Sequence, residues 1–343
     1  VDLYNGNLEL RAPNLVFGVG DIAFLWQPYI RMRFRLDPVV VTSPRILSSL
    51  DERHAILNIP TTPSINCDAY ITDTSMNVIA AGPITVKLGG TCINNRQIEA
   101  DCDEIKFHIA NMRDYIGGNI TYSDQSSIYS RRISLSDDEW VTIIDGVENI
   151  KELLEGLRQE GGFAITHIGV LRRKGKMPFR VNEGLEQIKT LGFFLSFVVG
   201  RWCCPVLLVG TRNGEIVFRD LLGNTRIDPW KGNWQWCSPM DARYLDVAYK
   251  GFISKWKDPK WREPIAKIIE FYVRANTYPT VELSVLDSFT ALDVLASAYS
   301  METVNPASKR IRKTLEKGAL DARMPPRALH TLYNNFYKTN CPS

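Results

Sequence analysis

The sequence lacks the residue spacings by which cysteine and histidine usually bind metal ions. Its seven cysteines form no Cys-x-x-Cys pair, and its four histidines stand without an acid or a cysteine at a ligand spacing. We therefore predict no metal site and no bound cofactor. The odd number of cysteines favours reduced, buried thiols over a disulfide framework, which is the pattern of a cytoplasmic protein.

The common signatures of hydrolases and nucleotide-binding enzymes are also absent. The sequence contains no Gly-x-Ser-x-Gly elbow, no Walker loop and no His-Glu-x-x-His motif. The nearest approach is Gly18-x-Gly20-x-x-Ala23, which follows an apolar run as a dinucleotide fingerprint does. Only segment 21–27 is available before Pro28, which is too short for a crossover helix. We interpret this stretch as a glycine-rich connection between strands.

One long apolar run has to be distinguished from a membrane span, because residues 191–210 carry a single charge. Gly200 and Arg201 divide the run, and Pro205 would interrupt a continuous helix at that point. We therefore predict two buried elements, a helix and then a strand, and no membrane association.

The patterns of apolar and polar residues predict an α+β fold with three successive regions. Residues 1–145 contain short strand-like runs separated by Gly, Pro, Asn and Asp. Such runs are typical of a sandwich or a barrel, and we predict an antiparallel, β-sandwich-like sensor or binding domain. Residues 146–237 mix helices with strands and are predicted to pack on that domain. Residues 238–343 have helical periodicity and predict an all-α bundle.

Individual helices are predicted from their apolar spacing and their ends. Asp145 and Glu148 have the spacing of a capping box, and the helix that follows should stop at Gly161. Residues 182–199 predict a second helix whose second half is apolar on all sides and therefore buried. Residues 281–299 are apolar around most of the helix circumference, which predicts the interior helix of the bundle.

Charge is distributed unevenly along the chain. Residues 1–148 carry 12 basic and 19 acidic side chains, residues 149–237 carry 13 and 8, and residues 238–343 carry 16 and 11. The net charges are therefore −7, +5 and +5, which sum to the +3 of the whole chain. An acidic β-rich region joined to a basic remainder indicates a polyanion-binding surface on the basic part.

Two basic segments are candidate contacts for nucleic acid. Segment 308–317 places five basic side chains within three helical turns, and it is either a phosphate-facing patch or a solvated helix face. These side chains are Lys309, Arg310, Arg312, Lys313 and Lys317. Segments 229–236 and 250–264 hold five of the eight tryptophans among lysines. Exposed rings could stack on bases, whereas buried rings would pack internally, and we favour packing.

Three stretches of the chain are similar to a family of known architecture. They are IKFHIANMRDYIGG (105–118), GLEQIKTLGFFLSFVVG (184–200) and VELSVLDSFTALDVLASAY (281–299), in which Asp293 follows Ala-Leu. All three resemble the bacterial abortive-infection proteins of the ApeA type, in which a β-rich region precedes a C-terminal HEPN helical domain. The resemblance implies a prokaryotic defence protein with a sensing β-domain. Its helical domain would bind or cleave RNA without a metal and would form a homodimer.

The catalytic residues that this resemblance implies, an Arg, a polar residue and a His, are not assigned in this chain. Arg323 and His330 come near the required spacing, but Met324 replaces the polar residue and Pro325 would break the helix. Two other hypotheses therefore stay open beside RNA cleavage. One is a binding module without catalysis that holds a ligand or a phage protein, and the other is an enzyme of a different fold.

Overall fold

The computed structural model describes most of the first 302 residues of the chain. The described ranges are 1–11, 15–26, 30–41, 54–61, 64–78, 84–94, 100–121, 128–221, 226–232, 236–277 and 280–302. The chain divides into two compact units, Val1–Lys255 and Trp256–Ser343. Each unit is described by itself.

The described residues form fifteen strands and five α-helices, so the chain has the α+β fold that the sequence predicts. The strands are β1 (Asp2–Arg11), β2 (Leu15–Leu25), β3 (Arg31–Val41), β4 (His54–Ile59), β5 (Ile65–Val78), β6 (Ile84–Asn94), β7 (Asp101–Cys102), β8 (Glu104–Ala110), β9 (Gly118–Thr121), β10 (Ile128–Ser136), β11 (Trp140–Gly146), β12 (Ile165–Arg173), β13 (Phe179–Arg180), β14 (Val206–Arg212) and β15 (Glu215–Asp220). The helices are α1 (Ile150–Glu160), α2 (Val181–Val199), α3 (Arg243–Trp256), α4 (Pro259–Thr277) and α5 (Val281–Glu302).

The first six strands form a closed antiparallel barrel in the order β1-β2-β3-β6-β5-β4. Alternate apolar side chains, such as Leu10, Phe24 and Phe34, fill its interior and are fully buried. Gly20 lies within β2, where a Cβ atom would stand 2.1 Å from the carbonyl oxygen of Arg35. The first six strands therefore form a barrel, one of the two architectures of which the pattern is typical, and not the sandwich-like domain predicted for residues 1–145. The alternation is the same in both architectures, and closure depends on pairing between β1 and β4, which are distant in sequence.

A seven-stranded antiparallel sheet follows, in the order β15-β14-β8-β12-β11-β10-β9. It runs across residue 145, where the sequence analysis placed a domain boundary, so strands from both sides of that position share one sheet. Helices α2 and α3 cover one face, where Phe194 and Tyr249 pack with Phe107 and Ile144 of the sheet. We call this the inward face.

The helix predicted after residue 145 begins later than its capping pattern indicated. Its N-terminal cap is Asn149, and the helix starts at Ile150. Asp145 lies instead on β11, where its carboxylate binds the guanidinium of Arg132 at 2.7 Å. Asp145 therefore belongs to the sheet and does not cap the helix.

The long apolar run is divided as the sequence predicts. Helix α2 ends at Val199, Gly200 follows with a left-handed φ of 73°, and β14 begins at Val206. A left-handed glycine is a common way to end a helix, because glycine has no Cβ to clash. In the described part of the chain, no helix is both long and apolar enough to cross a lipid bilayer.

The second unit contains two described helices, α4 and α5, which pack on each other. The buried carboxylate of Asp287 in α5 lies 3.2 Å from the guanidinium of Arg274 in α4. The prediction of a helix at 281–299 is confirmed. Its predicted place inside a bundle stays a prediction, because residues 303–343 of that bundle lie outside the described residues. Several of its large apolar side chains are exposed, although α4 packs along it.

Candidate functional site

The candidate site is the outer face of the seven-stranded sheet, opposite the layer formed by α2 and α3. Successive side chains of a strand point to opposite faces, and the outward ones form three cross-strand rows. The middle row is Lys106, Val170, Ile143 and Ser134. The rows on either side of it are His108, Ile168, Asp145 and Arg132, and Glu104, Arg172, Val141 and Ser136. These twelve residues are the outer face.

The centre of the outer face is apolar. Ile168 is 48% exposed, and Val141, Ile143 and Val170 are half-buried beside it. Branching at Cβ restricts the side-chain rotamers, so these residues hold a fixed conformation at the surface. The solvated face of an antiparallel sheet usually carries polar residues. Four β-branched apolar residues side by side there indicate a contact surface.

The charged residues of the outer face bind one another. Arg172 approaches Glu104 to 2.6 Å and Lys106 approaches it to 3.2 Å. Arg132 binds Asp145 through two parallel hydrogen bonds of 2.7 Å. Burial alone would raise the pKa of Glu104, but hydrogen bonds from Arg172 and Lys106 outweigh it, and the pKa is lowered. The basic groups of this face are thus already engaged by carboxylates.

A buried polar network lies where β8 ends and β12 begins, and Asn111 is at its centre. Asn111 is fully buried and has a left-handed φ of 61°, which residues other than glycine rarely adopt. Its side-chain amide donates to the carbonyl oxygens of Gly162 and Asp228, each at 3.0 Å. Its side-chain oxygen accepts from the N–H of Ala164 at 3.0 Å. One asparagine therefore joins three separate segments of the chain.

Arg201 is the second member of the network and follows the glycine that ends α2. It is buried, and its guanidinium donates to the carbonyl oxygens of Asn111 and Lys231, the latter at 2.7 Å. The guanidinium also stacks on the Trp230 ring, 4.5 Å from its centroid. Burial lowers the pKa of Arg201. Carbonyl dipoles and an aromatic ring replace the water that this cation would have at the surface.

A second buried arginine, Arg131, lies near the same end of the sheet. It donates to the carbonyl oxygens of Val147 at 3.3 Å and Glu148 at 2.9 Å, and its guanidinium lies 3.4 Å from the Asp114 carboxylate. His167 is fully buried nearby. Burial and the positive charge of Arg131 lower the pKa of His167 to about 3, so its ring is neutral at physiological pH.

In the described part of the chain the cysteines are free and buried, as the sequence predicts. They number six, and Cys341 lies outside the described residues. Burial raises the pKa of both Cys203 and Cys204 to about 12. The Cys203 thiol lies 3.4 Å from the carbonyl oxygen of Ala110. At neutral pH these groups are thiols with packing roles.

Three of the five tryptophans in the tryptophan-rich segments pack internally, which is the interpretation that we favoured from the sequence. Trp230, Trp256 and Trp261 are buried. Trp236 is 48% exposed, and Trp234 lies outside the described residues. Base stacking is therefore not the main role of these rings.

The basic side chains predicted to contact nucleic acid fall outside the described residues, as do Arg323 and His330. The five are Lys309, Arg310, Arg312, Lys313 and Lys317. Among residues whose placement is described, no group of three or more His, Cys, Asp or Glu side chains is arranged to hold a metal ion.

Sequence reasoning missed both the outer face and the network beneath it. One signal for the network was present, because Arg201 is the single charge in a twenty-residue apolar run. A charged residue there is buried only if it has internal partners. The signal for the outer face was weaker, since Ile168 and Val170 alternate with buried residues as in any buried strand.

The middle of the chain is similar to a known domain family. The family model described as the YopA central domain matches residues 97–233. The SPbeta prophage-derived uncharacterized protein YopA of Bacillus subtilis (strain 168) is 25% identical over 240 residues, which cover 66% of this chain and 54% of that protein. The chain thus spans about half the length of the curated relative it matches, and no solved structure matches it. The outer face and the buried network both lie within the segment that is similar to the YopA central domain.

Proposed function

We propose that this chain is a protein-binding module whose outer face docks a folded protein partner. The observation that carries the proposal is the apolar centre of that face, where Ile168 is 48% exposed among three half-buried β-branched residues. Protein interfaces combine an apolar centre, which is depleted in charge, with a polar rim. The outer face has this arrangement, with Glu104, Lys106 and Arg172 on one side of its apolar centre and Asp145 and Arg132 on the other.

The charge balance of the outer face favours a protein over a nucleic acid as partner. Its basic side chains number three and its acidic side chains two, and all five take part in ion pairs within the face. A nucleic-acid strand would have to separate these pairs, and Glu104 and Asp145 would then repel its phosphates. Affinity for nucleic acid depends on basic groups that are free to neutralise phosphates.

The buried network supports the proposal because it fixes the strands that carry the outer face. Asn111 and Arg201 tie the end of β8 to the segment that precedes β12, to the segment that follows β15 and to the end of α2. A slip of one residue between β8 and β12 would turn every outward side chain inward. Binding surfaces that keep one geometry in this way lose less entropy when a partner docks.

The similarity to the Bacillus subtilis protein supports a further proposal, which concerns the origin of this chain. The name of that Bacillus subtilis protein describes it as derived from a prophage. We extend this origin to the present chain, so that its partner is a protein of a phage or of the bacterial host. A phage protein is also one of the partners named in the sequence analysis.

The outer face is tested with Ile168→Glu and a matched control, Ile56→Glu, on the barrel. Both isoleucines lie on strands and have similar exposure, 48% and 41%. Immobilised chain is used to capture proteins from a bacterial lysate, and the affinity of each purified candidate is then measured by calorimetry. We expect Ile168→Glu to weaken binding at least tenfold, because a charge enters the apolar centre, and Ile56→Glu to leave it unchanged. Equal affinity of the two variants would contradict the proposal.

RNA binding by the C-terminal segment is a second candidate function. Residues 303–343 carry eight basic and two acidic side chains, so the positive charge of the C-terminal region is concentrated there. The HEPN resemblance implies the same ligand. Phosphate contacts release counterions, and the affinity should therefore fall steeply as salt is added.

The double variant Arg310→Glu with Arg312→Glu tests this second candidate. We expect its affinity for single-stranded RNA to fall at least tenfold for every sequence, with a shallower salt dependence in a fluorescence-anisotropy titration. The control is Lys257→Glu with Lys267→Glu, which reverses two charges elsewhere in the second unit. An unchanged affinity in the first variant would reject the basic run as an RNA contact.

A further inference from the structure

A strained bulge lies in β14. Val206 pairs with His108 and Val209 pairs with Lys106, so two residues of β14 stand opposite one residue of β8. The first of the two, Leu207, has a left-handed φ of 54°. In bulges this conformation usually belongs to glycine, because a Cβ atom makes it unfavourable. The strained backbone of Leu207 therefore persists only because its surroundings hold it.

His108 is one of the groups that hold the bulge. Its ring makes a hydrogen bond to the backbone of Leu207, in which the carbonyl oxygen accepts. The Nδ1 atom of His108 is buried and has no hydrogen-bond partner among the described residues. A neutral imidazole has a single N–H donor, so the neutral ring can bind Leu207 without a second acceptor.

The bulge also belongs to the packing between the sheet and the barrel. The side chain of Leu207 is buried, and it lies with Val206 and Ala110 in the apolar cluster that fills the barrel. Strand β14 is thus hydrogen-bonded to the sheet and packed with the barrel at the same residues. A change in the backbone of the bulge would therefore alter this packing.

Charged side chains on the strands around His108 are engaged with one another. Their ion pairs are Lys106 with Glu104, Arg172 with Glu104, Arg132 with Asp145, and Arg212 with Asp101. The residues directly opposite His108 are apolar, Ile168 on β12 and Val206 on β14. Burial lowers the pKa of His108 and outweighs the hydrogen bond to Leu207, which raises it.

We propose that His108 is an acid-sensitive latch, which holds the β14 bulge and its packing with the barrel while the ring is neutral and releases them when the ring takes up a proton. Protonation places a second N–H on the ring, at a buried atom that has no acceptor among the described residues. It also places a charge between two apolar side chains. The ring then turns to solvent, and Leu207 loses the hydrogen bond that helps to hold its strained backbone.

The direction of the pH dependence follows from the two states of the ring. In the released state the pKa of His108 returns to about 6.5, whereas in the latched state it is lower. The released state therefore binds more protons, and the latch is complete above about pH 6.5 and is lost as the pH falls. The released population should grow by up to about tenfold for each pH unit below 6.5, until the pKa of the latched ring is reached.

Hydrogen exchange of the full chain, followed by mass spectrometry, tests the latch. Protection of residues 204–210 is measured relative to the unfolded chain at each pH, which removes the pH dependence of the exchange chemistry. We expect this protection to fall about tenfold between about pH 7.5 and pH 5. Protection of α2 should fall less, because release of the bulge is a local event.

The variant His108→Gln separates the charge of the ring from its hydrogen bond. Glutamine offers an N–H donor to Leu207 but takes up no proton in this range, so protection of residues 204–210 should be close to the parent's at pH 7.5 and should not fall at pH 5. The matched control is His54→Gln, at an exposed position on β4 of the barrel. Its segment 204–210 should lose protection in acid as the parent does.

The buried His167 is the other histidine whose protonation opposes folding, and it supplies the opposing outcome. If His167→Gln abolishes the acid-induced loss of protection at residues 204–210 and His108→Gln does not, the latch proposal is wrong. A parent chain whose protection there is the same at both pH values would also overturn it.

A titration of the parent chain by NMR needs no variant and covers the case in which His108→Gln does not fold. The His108 ring should titrate below its ordinary pKa, at the pH where the amides of β14 begin to exchange faster. A ring that titrates without any change at β14 would contradict the latch. None of these measurements uses a partner of the outer face, so the latch and the protein-binding proposal stand or fall separately.

Discussion

Buried polar side chains in the first unit are held by backbone atoms more than by other side chains. Asn111 and Arg201 are 90 residues apart in sequence and meet through the Asn111 carbonyl oxygen. Each also binds carbonyl groups of segments that lack regular structure. A buried cation whose donors are used in this way stabilises one arrangement of those segments, since any other would leave the donors without acceptors.

The buried His167 should make the free energy of unfolding depend on pH in the acidic range. Its pKa of about 3 lies below the value of about 6.5 expected in the unfolded chain, so the unfolded state binds more protons between these pH values. The stabilising contribution is therefore complete above about pH 6.5 and is lost as the pH falls towards 3, by at most about 1.4 kcal/mol per pH unit.

We expect His167→Gln to flatten this dependence. The free energy of unfolding of both chains would be measured by urea titration at several values between pH 4 and 6. The parent should lose about 1 kcal/mol more per pH unit than the variant, because glutamine does not titrate in this range. If the free energies of unfolding of the parent and the variant fall in parallel as the pH is lowered, a group other than His167 makes the stability sensitive to acid.

At the scale of elements, the pairing of β8 with β12 depends on a glycine. A Cβ atom on Gly169 would lie 2.2 Å from the ring of Phe107, its partner across the strands. The Phe107 ring thus lies over the bare backbone of β12. Large side chains can cover a neighbouring strand in this way only where the residue opposite has no side chain of its own.

Gly169→Ala should therefore be destabilising, by about 1–3 kcal/mol, because the Phe107 ring must move within a packed core. The matched control is Gly156→Ala on α1, where no atom lies within 4 Å of the added Cβ. That change should stabilise the chain by about 0.5–1 kcal/mol, since alanine favours helices. Thermal or urea unfolding of each variant would measure the change in its free energy of unfolding.

A double variant separates the contact from other effects of Gly169→Ala. Adding Phe107→Leu makes room for the new methyl group, so the two changes together should cost less than the sum of their separate effects. Strict additivity would mean that the clash with the Phe107 ring is not the cause.

Elements with a local signal were predicted well, and those that depend on distant pairing were not. Residues 182–199 carry their own helical period and end at a glycine, and α2 has nearly those bounds. The barrel and the sandwich give the same alternation in sequence, and closure depends on β1 meeting β4. The outer face was missed for the same reason, since Ile168 and Ile143 come together only through the register of β11 and β12.

At the scale of the whole molecule, charge is distributed unevenly along the chain, and the polyanion-binding surface inferred from it stays a prediction. The acidic N-terminal part contains the barrel, and the strongly basic part lies at residues 303–343. The domain divisions were harder to predict, because the seven-stranded sheet draws strands from both sides of residue 145. No local pattern of residues marks a sheet as continuous across a helix such as α1.

The closed barrel also limits how this chain can aggregate. A closed barrel has no unpaired edge, so its strands offer no row of free N–H and C=O groups to a strand of another molecule. In the described part of the first unit, the outermost strands of the large sheet are β9 and β15. Growth of intermolecular β-structure from the folded state is therefore expected at open edges such as these two short strands and not at the six strands that come first in the chain.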